Sequence, residues 1–187
     1  MRSLKKYFSF YLKVNTDCKT NETDMNFINT KRLKLDLISV KDCDFIIELV
    51  NTEGWISYIG NRNIRTRTKA KTYIENFKSD KNTIVRIIKL KETNISIGII
   101  TILKRDYLEY CDIGFALLPE YSNQGFAFEA AEAVINIIKE SSAHKYIQAT
   151  TVPDNLSSIK LLKKLAFKFE KKIEVEKKTL NVYILKI

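Results

Sequence analysis

A short polar turn between an apolar segment and a long apolar helix has residue types that bind phosphate. The strand-like segment Ile113–Leu118 is followed by the turn Ser122–Ala127, in which Gly125 stands just before the helical pattern begins. Backbone N–H groups at a helix start lack intrahelical partners, and the helix dipole favours an anion there. Gly125 lets the backbone approach such a ligand closely. The sequence predicts a phosphate site formed by the N–H groups of Gln124, Gly125, Phe126 and Ala127.

The same turn resembles the acyl-CoA pyrophosphate loop of the GNAT acetyltransferase superfamily. That loop has the pattern Gln/Arg-x-x-Gly-x-Gly/Ala, which Ser122–Ala127 matches except at its first position. The segment Asn155–Phe167 is similar to the family's Asn-x-x-Ser-x-x-Leu-Leu-x-Lys-Leu-Gly-Phe, with Ala166 in place of the glycine. Asn29–Leu35 resembles the opening of the branch that acetylates ribosomal-protein N-termini. The resemblance covers residues 25–187.

This resemblance implies an acetyltransferase that moves an acetyl group from acetyl-CoA to a primary amine by direct attack. It implies a mixed, mostly antiparallel α/β sheet flanked by helices and splayed between two central parallel strands. The pantetheine arm would enter the gap between the strand ending near Leu118 and the strand at Lys145–Val152. Asn155 would contact the pantetheine or an ordered water, although asparagine is also favoured as a helix cap. The backbone positions expected to bind the pantetheine or the thioester oxygen are Phe115, Ala116 and Leu117.

Two side chains are the candidates for proton transfer. The resemblance places the hydroxyl of Ser158 near the sulfur, where it would protonate the thiolate, and the alternative is a capping or solvated serine. Leu162 stands where many relatives carry a catalytic tyrosine, so that acid is excluded here. Asp112 lies where relatives often carry a carboxylate. It would take the amine proton, directly or through water, or orient the ammonium group, with Glu109 and water as alternative bases.

Other residues are interpreted as supporting the site. Glu129 lies in the first turn of the helix after the loop, where a carboxylate is favourable without any ligand. We expect it to brace the loop or the adjacent strand. In the superfamily, the region of Trp55 and Tyr58 forms the acceptor wall, and Arg62 and Arg65 would contact an acidic acceptor.

The hydrophobic pattern predicts the elements that position these residues. Alternation over Arg32–Ile38 predicts a strand, Ser39 with Asp42 resembles a capping box, and Thr66 is predicted to cap a second helix. The remaining predicted elements are a hairpin over Ile84–Leu90 and Ile95–Leu103, a strand over Tyr107–Leu118, a helix over Phe126–Ser141, a strand over Lys145–Val152, a helix after Asn155, and a final hairpin.

Composition narrows the class of protein. The 187 residues fit one domain, predicted over 25–187, preceded by an extension over 1–24. Three cysteines without paired spacing favour reduced thiols and a cytoplasmic location, and a single histidine makes a metal site improbable. Ile95–Leu103 is too short to span a membrane. The net charge of +10 is carried mainly by lysine, so no specific nucleic-acid partner is needed. A monomer and a homodimer both fit.

Two rival functions remain open at this stage. One is acetylation of a small-molecule amine on the same fold. The other is a non-catalytic acyl-CoA-binding or nucleic-acid-binding module, because Ser122, Leu162 and Ala166 depart from common family choices.

Overall fold

One eight-stranded sheet forms the centre of the described chain. A computed structural model describes residues 27–140 and 145–187, so the predicted extension over 1–24 lies outside the described residues. The strands cross the sheet in the order β1-β2-β3-β4-β5-β6-β8-β7. Every neighbouring pair is antiparallel except β5 with β6. The predicted mixed, mostly antiparallel sheet is therefore confirmed. The strands are β1 (Phe27–Asn29), β2 (Leu33–Leu37), β3 (Thr83–Leu90), β4 (Ser96–Leu103), β5 (Asp112–Leu117), β6 (Tyr146–Thr151), β7 (Lys168–Val175) and β8 (Lys178–Lys186).

Among the described residues, five α-helices cover the two faces of this sheet. They are α1 (Cys43–Val50), α2 (Glu53–Tyr58), α3 (Arg67–Ser79), α4 (Phe126–Glu140) and α5 (Leu156–Lys164). Helices α1 to α3 contribute to one buried apolar cluster with β3 and β4, and α4 and α5 contribute to a second cluster on the other face. The second cluster takes in residues of β2, β3, β4, β5, β6 and β8, so α4 and α5 pack across the whole middle of the sheet.

The predicted helix starts are confirmed by their hydrogen bonds. The backbone N–H of Ser39 donates to Asp42 Oδ2 over 2.8 Å, and the Ser39 hydroxyl accepts from the N–H of Lys41 over 3.3 Å. This capping box opens a short 3₁₀ turn that leads directly into α1. The Thr66 hydroxyl accepts from the N–H of Lys69 over 3.3 Å and caps α3. Local side-chain chemistry fixes both positions, which is why the sequence predicts them.

Three elements differ from the sequence prediction. β1 and the short helix α2 were not predicted, and β5 begins at Asp112 rather than at Tyr107. The reason for the late start is a loop over residues 104–111. Lys104 Nζ donates to the carbonyl oxygens of Leu108, over 2.5 Å, and Glu109, over 2.7 Å. These bonds curl the chain away from β4 before pairing resumes. Within the described ranges, no helix is both long and apolar enough to cross a membrane.

Candidate active site

The parallel strands β5 and β6 are paired at one point and then separate. The paired residues are Asp112 and Gln148, and the Gln148 N–H donates to the carbonyl of Cys111 over 2.8 Å. Beyond this point β5 stays paired with β4 as far as Leu117, but not with β6. We call the gap between Ile113–Leu117 of β5 and Ala149–Thr151 of β6 the fork. It is the predicted splay between the central parallel strands.

The free edge of β5 offers backbone groups to the fork. The N–H of Leu118 donates to the carbonyl of Ile97 over 2.9 Å, which fixes the alternation along β5. By that alternation the N–H and C=O groups of Ala116 point towards β4, and those of Phe115 and Leu117 point into the fork. Of the three predicted backbone positions, Phe115 and Leu117 are therefore the two directed at the gap.

Asp112 lies at the closed end of the fork and is 2% exposed. Its Oδ1 accepts from the backbone N–H of Thr150 over 2.9 Å, and its Oδ2 lies 3.2 Å from the Thr150 hydroxyl. Oδ2 also accepts from Nε of Arg105, whose side chain is 36% exposed. Burial raises the pKa of the Asp112 carboxyl, although Arg105 and Thr150 act in the opposite direction. The carboxylate is thus fully engaged inside the protein rather than open to the fork.

The turn Ser122–Ala127, which we call the phosphate loop, leads into the first turn of α4. Asn123 and Gly125 have positive φ angles of 59° and 80°, so the backbone alternates in a form typical of anion-binding nests. Among the described residues, the N–H groups of the predicted set Gln124, Gly125, Phe126 and Ala127 have no hydrogen-bond acceptor. The side chain of Gln124 instead folds back, and its amide donates to the Glu120 carbonyl over 2.7 Å. The backbone of the loop, not its side chains, is therefore what fits a phosphate.

Arg32 and Glu129 form a brace beside the phosphate loop. Glu129 Oε2 accepts from Arg32 Nε over 2.7 Å, and Oε1 accepts from the Arg32 N–H over 2.7 Å and from the Thr30 hydroxyl over 2.5 Å. Partial burial opposes ionisation, but these donors outweigh it and lower the pKa of the Glu129 carboxyl. The interpretation of Glu129 as a brace is confirmed. The role of Arg32 was missed, because its partners lie more than ninety residues further along the chain.

The first turn of α5 follows the open end of β6. Asn155 Oδ1 accepts from the N–H of Ser158 over 3.0 Å, so Asn155 is the N-cap of this helix. The Ser158 hydroxyl is half-buried and has no hydrogen-bond partner among the described residues, which leaves it free to donate. Leu162, one turn further on, is fully buried and packs in the core.

The predicted acceptor wall is divided between core and surface. Trp55 is buried in the cluster with α1 and α3, whereas Tyr58 is 42% exposed and Arg62 and Arg65 are exposed. Trp55 is thus a packing residue, and Tyr58 with the two arginines offers contacts at the surface. In the parts of the chain that the structure describes, no group of three or more histidine, cysteine, aspartate or glutamate residues is placed to hold a metal ion.

Comparison with known proteins identifies this arrangement. The family model described as acetyltransferase (GNAT) domain matches residues 32–168. An uncharacterised N-acetyltransferase of Bacillus subtilis (strain 168), YnaD, is 31% identical over 144 residues, which are 76% of this chain and 83% of that protein. The chain belongs to the GNAT family and is an N-acetyltransferase.

Solved structures of acetyltransferases share the fold. RimL, a ribosomal L7/L12 alpha-N-protein acetyltransferase in complex with coenzyme A, has a TM-score of 0.75 at 13% identity, over 86% of this chain and 98% of that one. MccE, a Microcin C7 self immunity acetyltransferase in complex with acetyl-CoA and AMP, has a TM-score of 0.73 at 16% identity, over 84% and 94% of the two chains. The resemblance to the ribosomal-protein branch is consistent with RimL being among these neighbours. The neighbours that hold coenzyme A or acetyl-CoA support acetyl-CoA as the co-substrate, and in this chain residues 117–122 connect the fork to the phosphate loop.

Proposed function

We propose that this protein transfers the acetyl group of acetyl-CoA to a primary amine, with a protein N-terminal α-amine as the first candidate. The observation that carries the proposal is the fork itself. One edge of β5 is left unpaired beyond Asp112, and the same chain runs on into a loop with four N–H groups that have no acceptor within the described ranges. A donor with a peptide-like arm and a pyrophosphate satisfies both sets of groups at once.

In this proposal the backbone of β5 both binds and polarises the donor. The pantetheine arm adds to the sheet as an extra strand against Phe115 and Leu117, in the way that extended peptides add to free sheet edges. An N–H of this edge then donates to the thioester oxygen as negative charge develops during amine attack. Ala116 supports this strand from within the sheet, and Asn155 fixes the start of α5 at the far side of the fork.

Ser158 is the proposed acid for the leaving thiolate. Its N–H is held by Asn155, and its hydroxyl is free of partners among the described residues. A hydroxyl fixed on a helix turn beside the fork can protonate the sulfur as the C–S bond breaks. The buried Leu162 leaves no other side-chain acid on this face of α5.

Asp112 is proposed as the residue that receives the amine proton through water. Direct contact with the amine is disfavoured, because the carboxylate is 2% exposed and already bonded to Thr150 and Arg105. Glu109 remains the alternative, since it is exposed in the loop that precedes β5. In either case the attacking amine loses its proton before or during attack, so activity should rise with pH.

The acceptor class rests on the resemblance and on the surface around α2. Tyr58, Ile56 and Ile59 are 42%, 38% and 39% exposed, which gives a partly apolar surface on which an extended peptide can lie. Small-molecule amines are the second candidate, favoured by the likeness to the self-immunity acetyltransferase. A cytoplasmic location, and a monomer or homodimer without a nucleic-acid partner, complete the proposal.

An acceptor screen tests this function. Purified protein is incubated with acetyl-CoA and one amine at a time, and free thiol is measured. The panel contains peptides with free and blocked N-termini, polyamines, and antibiotics that carry a primary amino group. Thiol release that depends on a free peptide α-amine supports the first candidate, whereas release with small amines alone selects the second. The absence of release with every amine, together with tight acetyl-CoA binding, would leave a non-catalytic binding module.

A further inference from the structure

The guanidinium of Arg32 lies directly on the phosphate loop. Arg32 is the residue just before β2, and its Nη1 donates to the carbonyl of Gln124 over 3.0 Å. Its Nη2 lies 3.4 Å from the point where Gly125 would carry a Cβ atom. The arginine therefore occupies the side of the loop that Gly125 leaves open.

The orientation of this guanidinium is fixed before any ligand binds. Nε is held by Glu129 Oε2, and the carbon of the guanidinium lies 4.3 Å from the centre of the Phe126 ring. Glu129 is itself fixed by the Arg32 N–H and the Thr30 hydroxyl. Because the bound carboxyl has a lowered pKa, Glu129 stays ionised at neutral pH and the arrangement persists. An arginine held at three points loses little further freedom when it binds an anion.

The contacts of Arg32 with Glu129 and Gln124 use only part of its guanidinium group. A guanidinium has five N–H donors, and Glu129 and Gln124 each accept from one of them. For the remaining donors, including those on Nη2, the described part of the chain provides no acceptor. The side chain is 43% exposed, so a ligand at the loop can reach it.

A second cation lies on the other side of the same helix start. Lys164, the last residue of α5, places Nζ 4.4 Å from the centre of the Phe128 ring in the first turn of α4. The N-terminus of α4 therefore has a cation against each of two ring faces, Phe126 and Phe128. Together with the helix dipole they make the potential at the loop more positive than the loop backbone alone would.

We propose that Arg32 binds a phosphate of acetyl-CoA and so selects the phosphorylated form of the donor. This inference rests on the proposed function, since it takes acetyl-CoA as the occupant of the loop. Arg32 supplies the side-chain cation that Ser122 does not supply from within the loop. Guanidinium groups match phosphate oxygens with paired donors, which an ammonium group does not. Glu129 and Phe126 are then the residues that position Arg32.

The experiment compares acetyl-CoA with one donor that lacks only the 3′-phosphate and one that lacks the whole 3′-phospho-ADP portion. Equilibrium affinities are measured for acetyl-CoA, for 3′-dephospho acetyl-CoA and for S-acetylpantetheine, which has no phosphate. The variants are Arg32→Gln, which removes the charge, and Arg32→Lys, which keeps the charge but loses the paired donors. Arg67→Gln is the matched control, because Arg67 is an exposed arginine paired with Asp44 on the opposite face of the sheet.

Arg32→Gln should weaken acetyl-CoA binding by about 10- to 100-fold, as expected for a lost charge-assisted hydrogen bond, and leave S-acetylpantetheine within about twofold. Arg32→Lys should lose less, and Arg67→Gln should change neither donor. An equal loss for acetyl-CoA and its 3′-dephospho form assigns Arg32 to the pyrophosphate, and a loss only for acetyl-CoA assigns it to the 3′-phosphate. If Arg32→Gln does not fold, Arg32→Lys decides the same comparison.

Two results would overturn the inference while leaving the proposed function intact. The first is an equal loss of affinity for all three donors, which would make Arg32 a brace only. The second is unchanged acetyl-CoA affinity in both Arg32 variants. A wild-type protein that binds acetyl-CoA no better than S-acetylpantetheine would instead remove the phosphate loop assignment, and this inference with it.

Discussion

The carboxylate of Asp112 takes the place of a backbone acceptor for the N–H of Thr150. In a continued parallel ladder this N–H would bond to a carbonyl of β5, but Asp112 Oδ1 accepts it over 2.9 Å. Arg105 balances the charge of the carboxylate from the loop before β5. A side chain thus ends the ladder and sets the point at which the fork opens.

Substitution of Asp112 and substitution of Arg105 should therefore destabilise the fold to different extents. Asp112→Asn keeps an acceptor for Thr150 and leaves Arg105 partly solvated, so we expect a loss of about 1–2 kcal/mol. Arg105→Gln leaves a buried carboxylate without its cation and should cost about 3 kcal/mol or more at neutral pH. Urea unfolding of both variants measures the difference, and a smaller loss for Arg105→Gln than for Asp112→Asn would contradict it.

The Arg105→Gln variant should also respond to pH in a defined direction. Burial already raises the pKa of Asp112 above its ordinary value, and loss of the guanidinium should raise this pKa further. The folded state then binds a proton more tightly than the unfolded state, so the free energy of unfolding falls as pH rises between the two pKa values. The deficit relative to wild type should shrink in acid. A deficit that is constant from pH 4 to pH 7 would exclude this explanation.

Gly125→Val should abolish acetyl-CoA binding without unfolding the protein. Gly125 has φ of 80°, a region that costs a residue with a side chain roughly 1–2 kcal/mol, and its Cβ would lie 3.4 Å from Arg32 Nη2. The loop backbone and the brace should both shift. Gly54→Ala is the control, because Gly54 lies in α2 with open space around it and should change affinity for acetyl-CoA by less than about twofold.

Ser158→Ala should lower turnover and leave donor affinity nearly intact. Removal of a general acid typically costs about 10²–10⁴-fold in rate, although water can replace part of it. The helix cap persists because it uses the Ser158 backbone N–H. Ser157→Ala, at the exposed neighbouring position, serves as the control. Unchanged turnover in Ser158→Ala would reduce Ser158 to a helix-start residue and leave water as the acid.

The brace at Glu129 predicts a loss of stability in acid. Because the folded pKa of Glu129 lies below its ordinary value of about 4.3, its contribution is present above that value and is lost as pH falls through the folded pKa. The melting temperature of the wild type should therefore fall more steeply below about pH 4.3 than that of Glu129→Gln. If the melting temperatures of the two proteins depend on pH in the same way, the Glu129 carboxylate contributes nothing to the stability of the folded state.

Ala166→Gly should stabilise the protein. Ala166 follows α5 with φ of 65°, and the bonds from Ala166 to Lys163 and from Phe167 to Leu162 form a Schellman motif. Glycine at this position avoids a steric cost of roughly 1 kcal/mol. For a chain of this size the melting temperature should rise by about 2–4 °C. Ala127→Gly, inside the first turn of α4, should lower it instead.

The sequence could reveal those parts of the site that are local in the chain. The phosphate loop and the two helix caps depend on neighbouring residues, so spacing alone predicts Gly125, Asn155 and Ser39. The departure of Ala166 from glycine was likewise visible, and the structure adds its positive φ.

Contacts between distant segments could not be predicted in the same way. Arg32 and Glu129 are separated by 97 positions, and no periodicity links them. The sequence nominated Asp112 as a carboxylate at the site, but its burial depends on the loop that folds over the start of β5. Hydrogen bonds from the Lys104 ammonium group to two backbone carbonyls hold that loop, and bonds to backbone acceptors leave no residue pattern to recognise.

The single paired point between β5 and β6 has a further consequence for how the molecule holds together. Because β5 and β6 are paired at one position only, the sheet consists of two continuously hydrogen-bonded ribbons. One ribbon is β1 to β5, the other is β6, β8 and β7, and the apolar cluster under α4 and α5 packs against both. In the absence of a donor, apolar packing in this cluster therefore contributes more than the β5–β6 hydrogen bonds to keeping the two ribbons aligned. A donor bound in the fork would form hydrogen bonds with the free edge of β5 and so link the two ribbons. Binding should therefore make them one cooperative unit, in which the amides of the central strands exchange their hydrogens with solvent together.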